Sequence, residues 1–363
     1  MSDYVNFAFM CMEKQGNTGI KIAIVGAGPA GLVAAGYLAC RGHSVDVYDK
    51  QPYPGGLMIF AIPPWRIPRN RVLEGVKDLE KRLGVRFITR TKVYASVEMP
   101  HEEGDELVEK KISLEELISN YDLVLLSTGT WRSKIPRIQG ANAKGVESAL
   151  EYVYGFRLYE LGLINSKPST GRRVVVIGGG YSAIDAAEQA VKGGAEAYLV
   201  YRRTIKEAPA GIFEIERVKR LGVEFMELVS PVEIISEGNT VKAIKLQRMQ
   251  LGPPDETGRP QPIPVPGSEI IIEADKVIFA TGESPTPPLP QSEDYMNKLG
   301  IRLNKDGTIM VNNIMQTGNP KVFAAGDVVT GPSKVGRAIK SGLYTAKYMH
   351  NWIEAKLVAS ITR

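Results

Sequence analysis

The distribution of apolar and polar residues repeats itself once along the chain. In residues 21–50, a β-branched apolar run leads into a glycine-rich turn, an alanine-rich stretch, a single glycine and a second apolar run. Residues 172–203 show the same succession. Short apolar runs that flank a helical stretch predict a strand–helix–strand unit with parallel strands. The two units begin about one domain length apart, so the sequence predicts two similar domains.

Three further apolar runs, 123–127, 276–281 and 322–325, lead directly into Thr-Gly, Gly or Gly-Asp. Such runs predict buried parallel strands that deliver a loop to a ligand. Residues 232–272 instead alternate around a Pro/Gly-rich loop, which predicts an antiparallel meander. The predicted fold class is therefore α/β, with two Rossmann-like three-layer dinucleotide-binding domains, the second inserted into the first.

The predicted boundaries follow from the positions of these runs. Residues 1–19 form an N-terminal tail, and residues 20–145 together with 286–363 form the first domain. The inserted domain covers residues 146–285 and includes the meander.

Composition is that of an ordinary globular protein, and it excludes several kinds of site. The chain has 363 residues, of which 44% are hydrophobic and 23% charged, and a net charge of +5 without a Lys/Arg block, so nucleic acid binding is not indicated. Two cysteines, Cys11 and Cys40, are too few for a disulfide framework, a cysteine-ligated Fe–S cluster or a four-cysteine zinc site. We expect no metal site, because ligand spacing is also lacking for His43, His101 and His350.

The sequence predicts neither a signal peptide nor a membrane span. The N-terminus lacks a basic region, and its apolar stretch is short. Residues 22–40 are uncharged, but their glycines and Pro29 favour a buried strand, turn and helix over a membrane span. With so few cysteines, we expect a cytoplasmic protein.

The first glycine turn, GAGPAG, has the spacing of a dinucleotide-binding fingerprint. Gly26 makes the tight turn after the strand, Gly28 lets the backbone approach a pyrophosphate, and Gly31 allows close packing of helix and strand. Asp49, at the end of the second strand, is placed to bind ribose hydroxyls. The alternative is an ordinary tight strand–helix turn.

The second turn, GGGYSA, supplies Gly178 and Gly180, with Ala183 in the third slot. Its second strand ends in Arg202 and Arg203 instead of an acid. Guanidinium groups bind a 2′-phosphate, so this turn predicts NADP rather than NAD. The alternative is that both arginines are solvated surface residues.

A third glycine motif, Gly326-Asp327, follows the apolar run 322–325. A carboxylate there can hold a ribityl hydroxyl, and the helix expected after Gly331 can direct its amides at the flavin. The alternative for this motif alone is a turn followed by a helix N-cap.

Together these residues resemble the two-dinucleotide-binding-domain flavoproteins, and within them the glutamate synthase small (β) subunit group. The specific markers are GGLMIFAIPPWRIPRNRV (55–72), GVESALEYV (145–153) and YRRTIKEAPAGIFEIERVKRLGVEF (201–225). The resemblance implies FAD in the first domain, NADPH in the second, and hydride transfer between the nicotinamide and the flavin. Two features depart from the family: its cysteine-rich Fe–S domain is missing, and Tyr181 replaces the usual Asp.

The candidate cofactor residues follow from the motifs and from the resemblance, which implies no catalytic acid or nucleophile. The residues predicted to bind FAD are Gly26, Gly28, Pro29, Ala30, Gly31, Asp49, Lys50, Gly56, Leu57, Ile62, Arg66, Val93, Thr128, Gly129, Gly326, Asp327, Arg337 and Ala338. The residues predicted to bind NADPH are Gly178, Gly180, Tyr181, Ser182, Ala183, Arg202, Arg203 and Gly282.

The electron acceptor must come from outside the chain. Cys40 falls in the first predicted helix and Cys11 in the tail, so we expect no redox cysteine pair beside the flavin and no disulfide reductase activity. The resemblance favours an Fe–S protein or partner subunit, and therefore a hetero-complex or oligomer. A free-standing NADPH:quinone or dye reductase, and a non-catalytic nucleotide-binding subunit of a redox complex, are the alternatives.

Overall fold

The computed structural model describes residues 4–95, 99–256, 258–290 and 292–361. It contains two compact units, one formed by Met1–Arg132 and Glu283–Arg363 and the other by Ser133–Gly282. The second unit is thus inserted into the chain of the first.

The first part of the first unit contains the predicted strand–helix–strand repeat. Its elements are β1 (Lys21–Val25), α1 (Pro29–Cys40), β2 (Ser44–Tyr48), α2 (Leu57–Phe60), α3 (Arg69–Asp78) with a π-helical turn (Leu79–Leu83), β3 (Arg86–Ile88), β4 (Thr91–Tyr94), a 3-10 turn (Asp105–Leu107), β5 (Lys110–Ser113), α4 (Leu114–Asn120), β6 (Leu123–Leu126) and β7 (Arg132–Ser133).

The inserted unit contains the second repeat and the predicted meander. Its elements are β8 (Val146–Ser148), α5 (Ala149–Glu160), β9 (Arg173–Ile177), α6 (Tyr181–Lys192), β10 (Glu196–Tyr201), a 3-10 turn (Ile205–Glu207), α7 (Ile212–Arg220), β11 (Glu224–Glu227), β12 (Val229–Glu237), β13 (Thr240–Pro254), β14 (Pro260–Glu273) and β15 (Lys276–Phe279). The chain then returns to the first unit through β16 (Glu283–Ser284), α8 (Glu293–Leu299), β17 (Val322–Ala324), α9 (Asp327–Thr330) and α10 (Val335–Ile361).

Each unit is built on a five-stranded sheet in which every strand pairs in parallel. The order is β17-β6-β1-β2-β3 in the first unit and β11-β10-β9-β15-β8 in the second. In both, the strand before the glycine turn is central, and its apolar residues are fully buried. The α/β fold class with parallel sheets is confirmed.

A separate antiparallel sheet, β12-β13-β14, occupies the segment for which the meander was predicted. It packs on the parallel sheet of the inserted unit through a shared apolar cluster that includes Val175, Ile244 and Phe279.

The inserted unit begins at Ser133, earlier than the predicted residue 146. Gln139 forms a bridge with Glu233, and Lys144 with Thr240, so residues 133–145 belong with the antiparallel sheet. Isolated bridges of this kind leave no strand pattern in the sequence, which explains the difference.

The N-terminal tail packs on the first unit from Tyr4 onward. Phe7 is buried, and a side chain at Gly36 would collide with the Phe7 oxygen. A side chain at Gly75 would collide with the Val5 oxygen. Cys11 in the tail and Cys40 at the end of α1 form a disulfide. The sequence placed Cys11 in the tail and Cys40 in the first helix without pairing them, and they meet because the folded tail runs back along α1.

In the described part of the chain, no helix has the length and apolar character needed to cross a bilayer.

Candidate functional site

The first glycine turn joins β1 to α1 and has no room for side chains at two of its glycines. Gly26 has a φ of +101°, and a Cβ there would lie 2.4 Å from the Ser127 carbonyl oxygen. A Cβ at Gly31 would lie 2.0 Å from the Gly26 oxygen. These contacts match the predicted roles of a tight turn and of close helix–strand packing.

Gly28 differs from these two glycines, because a Cβ there would meet no heavy atom within 4 Å. Gly28 is the N-cap of α1 and offers no side chain to the first helical amides, and Pro29 follows it inside the helix. The N-terminus of α1 therefore presents to open space the positive end of its dipole and backbone donors that no described side chain caps. This is an arrangement that fits a pyrophosphate.

Asp49 connects the turn to the end of β2. Its carboxylate accepts hydrogen bonds from the Ala27 N–H at 2.6 Å and from the Gln51 N–H at 2.7 Å. Burial raises the pKa of this carboxyl, because desolvation disfavours its charged form. Each oxygen can accept a second bond, so Asp49 both fixes the turn and retains the capacity to bind ribose hydroxyls.

A cavity in the first unit opens beside Asp49. Its lining includes four residues predicted to bind FAD besides Gly26: Asp49, Lys50, Val93 and Thr128. The Thr128 hydroxyl is buried, and none of the described residues forms a hydrogen bond with it. A buried, unpaired hydroxyl in a cavity is satisfied by a polar ligand, so the residues present fit the adenosine end of FAD.

Lys50 is already engaged at the wall of this cavity. Its ammonium lies 2.8 Å from a Glu102 carboxylate oxygen and 4.8 Å from the centre of the Trp131 ring. Glu102 and Trp131, which the sequence analysis did not identify, therefore shape the cavity together with Lys50. No motif marks either residue, since both lie in loops far from the glycine turns along the chain.

The segment that begins at Gly55 lies directly against the first turn. The Gly55 N–H donates to the Ala27 oxygen at 2.8 Å, and a Cβ at Gly56 would lie 2.9 Å from the Gly28 Cα.

Leu57 starts α2, and its oxygen accepts a hydrogen bond from the Ile62 N–H at 2.8 Å. Gly56, Leu57 and Ile62 are thus brought to the turn, and Arg66 lies in the following loop, where its N–H bonds to the Pro63 oxygen.

Gly326 and Asp327 approach the same helix from β17. A Cβ at Gly326 would lie 2.9 Å from the Ala30 Cβ. The Asp327 carboxylate accepts hydrogen bonds from the Ser333 hydroxyl at 2.5 Å and the Ser333 N–H at 3.2 Å, and burial raises its pKa. Asp327 is half-buried and keeps unused acceptor positions for a ligand hydroxyl.

The remaining predicted FAD residues lie in two places. Gly129, next to Thr128, accepts the Thr286 N–H at 3.0 Å. Arg337 is exposed and Ala338 is buried in the first turn of α10, which begins at Val335, later than expected.

The second glycine turn repeats the geometry of the first. Gly178 has a φ of +151°, and a Cβ there would lie 2.6 Å from the Ala280 oxygen. A Cβ at Gly180, the N-cap of α6, would meet nothing within 4 Å. Ala183 is fully buried, whereas Tyr181 and Ser182 are exposed at the start of α6. This turn also presents an open helix N-terminus, which fits a second pyrophosphate. Gly282 lies outside the turn, and its oxygen accepts a hydrogen bond from the Lys134 N–H at 2.9 Å.

The two arginines after β10 have different environments. Arg202 is exposed, and within the described residues no hydrogen bond or ion pair engages its side chain. Arg203 is only 3% exposed, and its guanidinium contacts Asp255 and the Pro260 oxygen, each at 2.7 Å. The alternative that both arginines are solvated is therefore wrong for Arg203, and its guanidinium is occupied within the protein.

Comparisons with known proteins extend over nearly the whole chain. Residues 20–342 match the family model described as pyridine nucleotide-disulphide oxidoreductase. The chain is 34% identical to the glutamate synthase [NADPH] small chain of Escherichia coli over 348 residues, covering 93% of this chain and 69% of that relative. It is also 34% identical to the NADPH-Fe(3+) oxidoreductase subunit beta of Geobacter sulfurreducens over 359 residues, covering 92% of this chain and 50% of that relative.

The fold is shared with solved structures of lower sequence identity. The structure of Mycobacterium tuberculosis FprA in complex with NADPH superposes with a TM-score of 0.75 at 20% identity, covering 94% of this chain and 86% of FprA.

Proposed function

The chain belongs to the pyridine nucleotide-disulphide oxidoreductase family, and on that basis we propose that it passes electrons from NADPH through FAD to an Fe–S protein or partner subunit. The resemblance to the glutamate synthase small subunit group is confirmed, and the chain is an NAD(P)H oxidoreductase with FAD and NADP(H) as its cofactors. It spans only about half the length of some relatives, so the acceptor and the assembly belong to the proposal.

The observation that supports the proposal most directly is the pair of open helix N-termini. Gly28 and Gly180 both face open space at the start of a helix, whereas Gly26 and Gly178 are packed against backbone. Each unit thus has its own place for a pyrophosphate. The residue after the second strand assigns the nucleotides, since Asp49 suits the ribose of FAD and Arg202 suits the 2′-phosphate of NADPH.

In this proposal the protein binds and orients the cofactors, which when bound supply the hydride and electron chemistry. The amides of α1 hold the pyrophosphate of FAD, and Thr128 and Asp49 hold its adenosine end. Asp327, the first residue of α9, holds a ribityl hydroxyl. The amides of α6 hold the pyrophosphate of NADPH.

The acceptor is proposed to be an Fe–S protein. The Cys11–Cys40 disulfide lies at the opposite end of α1 from Gly28, and a helix of 12 residues is about 18 Å long. The pyrophosphate turn and the disulfide are therefore about one helix length apart, and the absence of disulfide reductase activity stays a prediction. Two relatives are named as β subunits of an NADPH-Fe(3+) oxidoreductase and of a formate dehydrogenase, which supports a partner subunit for this chain.

The cytoplasm is the proposed location. The small number of cysteines supports this location, although the Cys11–Cys40 bond would have to persist in a compartment where disulfides are rare.

An anaerobic titration tests the function. The purified protein is expected to be yellow, to lose its flavin absorbance when NADPH is added, and to need far more NADH for the same bleaching. Ferredoxin added next should restore the oxidised spectrum, and a quinone added in parallel should do so more slowly. A flavin that NADPH leaves oxidised would contradict the enzymatic function and favour a non-catalytic nucleotide-binding subunit.

A further inference from the structure

The last helix of the first unit, α10, has one buried and one exposed face. Ala338, Gly342, Ala346 and Met349 are buried, and they recur every three or four residues. This spacing places them on one side of the helix. α10 packs along α1 through this side, and the protein has no room for a side chain at Gly342, which lies against the Ala30 oxygen.

The opposite side of α10 is basic and aromatic. Arg337, Lys340, Tyr344 and Tyr348 are exposed, and Lys347 is half-buried. In a helix of about 3.6 residues per turn, these positions fall within about 100° of the circumference and form one face. The Lys340 ammonium lies 5.6 Å from the centre of the Tyr344 ring. These residues are called the α10 basic face.

The α10 basic face contains no carboxylate. The sequence has no acidic residue between Asp327 and Glu354. Among the described residues, none forms an ion pair or a hydrogen bond with the ammonium group of Lys340 or Lys347. Helix α7, by contrast, pairs its cations with carboxylates of its own chain segment. A face whose positive charge is not neutralised within the protein is complementary to an acidic surface.

The buried side of the same helix contacts elements that we propose to hold FAD. The Ser341 hydroxyl accepts a hydrogen bond from the Gly326 N–H at 2.9 Å. Burial raises the pKa of Asp327, and the nearby charge of Arg337 opposes this rise. A helix with its side chains is about 10–12 Å across. A protein bound to the α10 basic face would therefore lie about one helix diameter from the turn between β17 and α9.

We propose that the α10 basic face is the docking surface for the electron acceptor, and that the acceptor presents an acidic surface to it. The cations attract and orient the acceptor, and the two tyrosines supply apolar contact area. This inference rests on the proposed function, in which an Fe–S protein accepts the electrons.

The test reverses the two cations that have no proposed role in cofactor binding. The purified flavoprotein is assayed with NADPH and either an acidic ferredoxin or menadione, an uncharged quinone. Lys340→Glu/Lys347→Glu should raise the KM for ferredoxin at least about tenfold, because a protein acceptor must dock on the charged face. The rate with menadione should be unchanged.

A matched variant controls for net charge. Lys77→Glu/Lys81→Glu changes two exposed lysines on α3 and the turn that follows it. Its KM for ferredoxin should stay within about twofold of the parent value, because steering depends on where the charges lie. The effect of Lys340→Glu/Lys347→Glu should shrink when the salt concentration is raised from about 0.1 M to about 1 M, since the Debye length falls from about 10 Å to about 3 Å.

The remaining outcomes also decide the matter. If Lys340→Glu/Lys347→Glu loses its FAD, Lys340→Gln/Lys347→Gln takes its place and should raise the KM by a smaller factor. An unchanged KM, or an equal rise in the Lys77→Glu/Lys81→Glu control, would overturn the proposal. An unchanged KM together with lost binding to vesicles of phosphatidylglycerol and phosphatidylcholine would assign the face to an anionic membrane instead.

The parent protein separates these results from a failure of the proposed function. A parent protein that reduces menadione and leaves ferredoxin oxidised would refute the proposed acceptor, and the docking surface with it, before any variant is measured. If NADPH reduced neither acceptor, the enzymatic function itself would be wrong.

Discussion

At the scale of single residues, the glycines of the two turns fall into two classes that the sequence does not separate. Gly26 and Gly178 are glycine because backbone oxygens occupy the place of a side chain. Gly28 and Gly180 have room for a side chain and extended backbone angles that any residue adopts. Packing therefore does not explain their lack of a side chain, whereas the proposed pyrophosphates would.

This difference gives a matched pair of variants. Gly28→Val and Gly180→Val should both fold, because the added atoms enter open space. Gly28→Val should be purified without FAD, whereas Gly180→Val should keep FAD and bind NADPH at least about tenfold more weakly. Absorbance spectra and fluorescence titration with NADPH measure both effects, and Gly180→Val should still be bleached by dithionite. If Gly180→Val were the variant that loses FAD, then FAD would bind at the second glycine turn and NADPH at the first, and the proposed assignments would be wrong.

A second residue-scale feature is the buried pair His43 and His350. The Nδ1 of His43 lies 2.7 Å from the Thr18 hydroxyl, and its Nε2 lies 3.1 Å from the Nδ1 of His350. Burial, and then the neighbouring imidazole, lower the pKa of His43 from 6.5 to about 4. Between these values the unfolded chain binds a proton that the folded chain does not.

Folding stability should therefore fall as the pH decreases from about 6.5 towards 4. In His43→Gln the decrease in melting temperature between pH 7 and pH 5 should be smaller than in the parent protein. His101→Gln is the control, since His101 is exposed and should leave the pH profile unchanged. Equal pH profiles in all three proteins would show that His43 is not buried in its neutral form.

At the scale of elements, the N-terminal tail is held on the helices of the first unit. The Val5 N–H bonds to the Arg71 oxygen at 3.0 Å, and the Gln15 N–H bonds to the Cys40 oxygen at 2.8 Å. The disulfide joins positions separated by 29 residues, so it restricts a sizeable loop of the unfolded chain. Phe9, Met10 and Met12 remain exposed on this tail.

The tail should contribute measurably to stability when the disulfide is present. Cys11→Ser/Cys40→Ser should lower the free energy of unfolding by about 2–4 kcal/mol in the absence of reductant. Dithiothreitol should destabilise the parent protein to a similar extent and leave the double variant unchanged, as measured by urea denaturation. Alkylation of both thiols in unreduced parent protein would show that the bond is not formed.

At the scale of the whole molecule, two units of similar topology each have a glycine turn at the carboxyl end of a central parallel strand. The antiparallel sheet belongs to the inserted unit, and Arg203 and Asp255 link its hairpin to β10. Each unit therefore has its own glycine turn for a nucleotide. When a nucleotide binds to one unit, we expect the change in backbone protection to be confined to that unit.

Hydrogen exchange on the holoprotein tests this separation. At a concentration of NADP⁺ about 100 times its dissociation constant, segments 177–184 and 200–206 should be stabilised by up to about 2.7 kcal/mol. Segment 25–32, which we propose to lie against FAD, should exchange at an unchanged rate. Arg202→Ala examined at the same NADP⁺ concentration should show reduced protection, and protection of segment 25–32 alone would argue against the assignment.

The sequence alone determined the α/β class, the repeat of two strand–helix–strand units and both glycine turns. These features depend on local patterns, since apolar runs, a glycine that must turn and a residue at a strand end are all encoded over about 30 residues. The predicted strands at 123–127, 276–281 and 322–325 were found in place for the same reason.

Only the tertiary structure decided which residues meet across long separations of the chain. Four contacts join distant segments in this way. Glu102 and Trp131 contact Lys50, and isolated bridges place the start of the inserted unit at Ser133. Cys11 is bonded to Cys40, and Arg203 forms an ion pair with Asp255. Such contacts follow from how elements pack, and a residue's own neighbours in the sequence carry no record of them. For this reason the chain's motifs located both glycine turns, whereas packing determined which of the two adjacent arginines has no partner among the described residues.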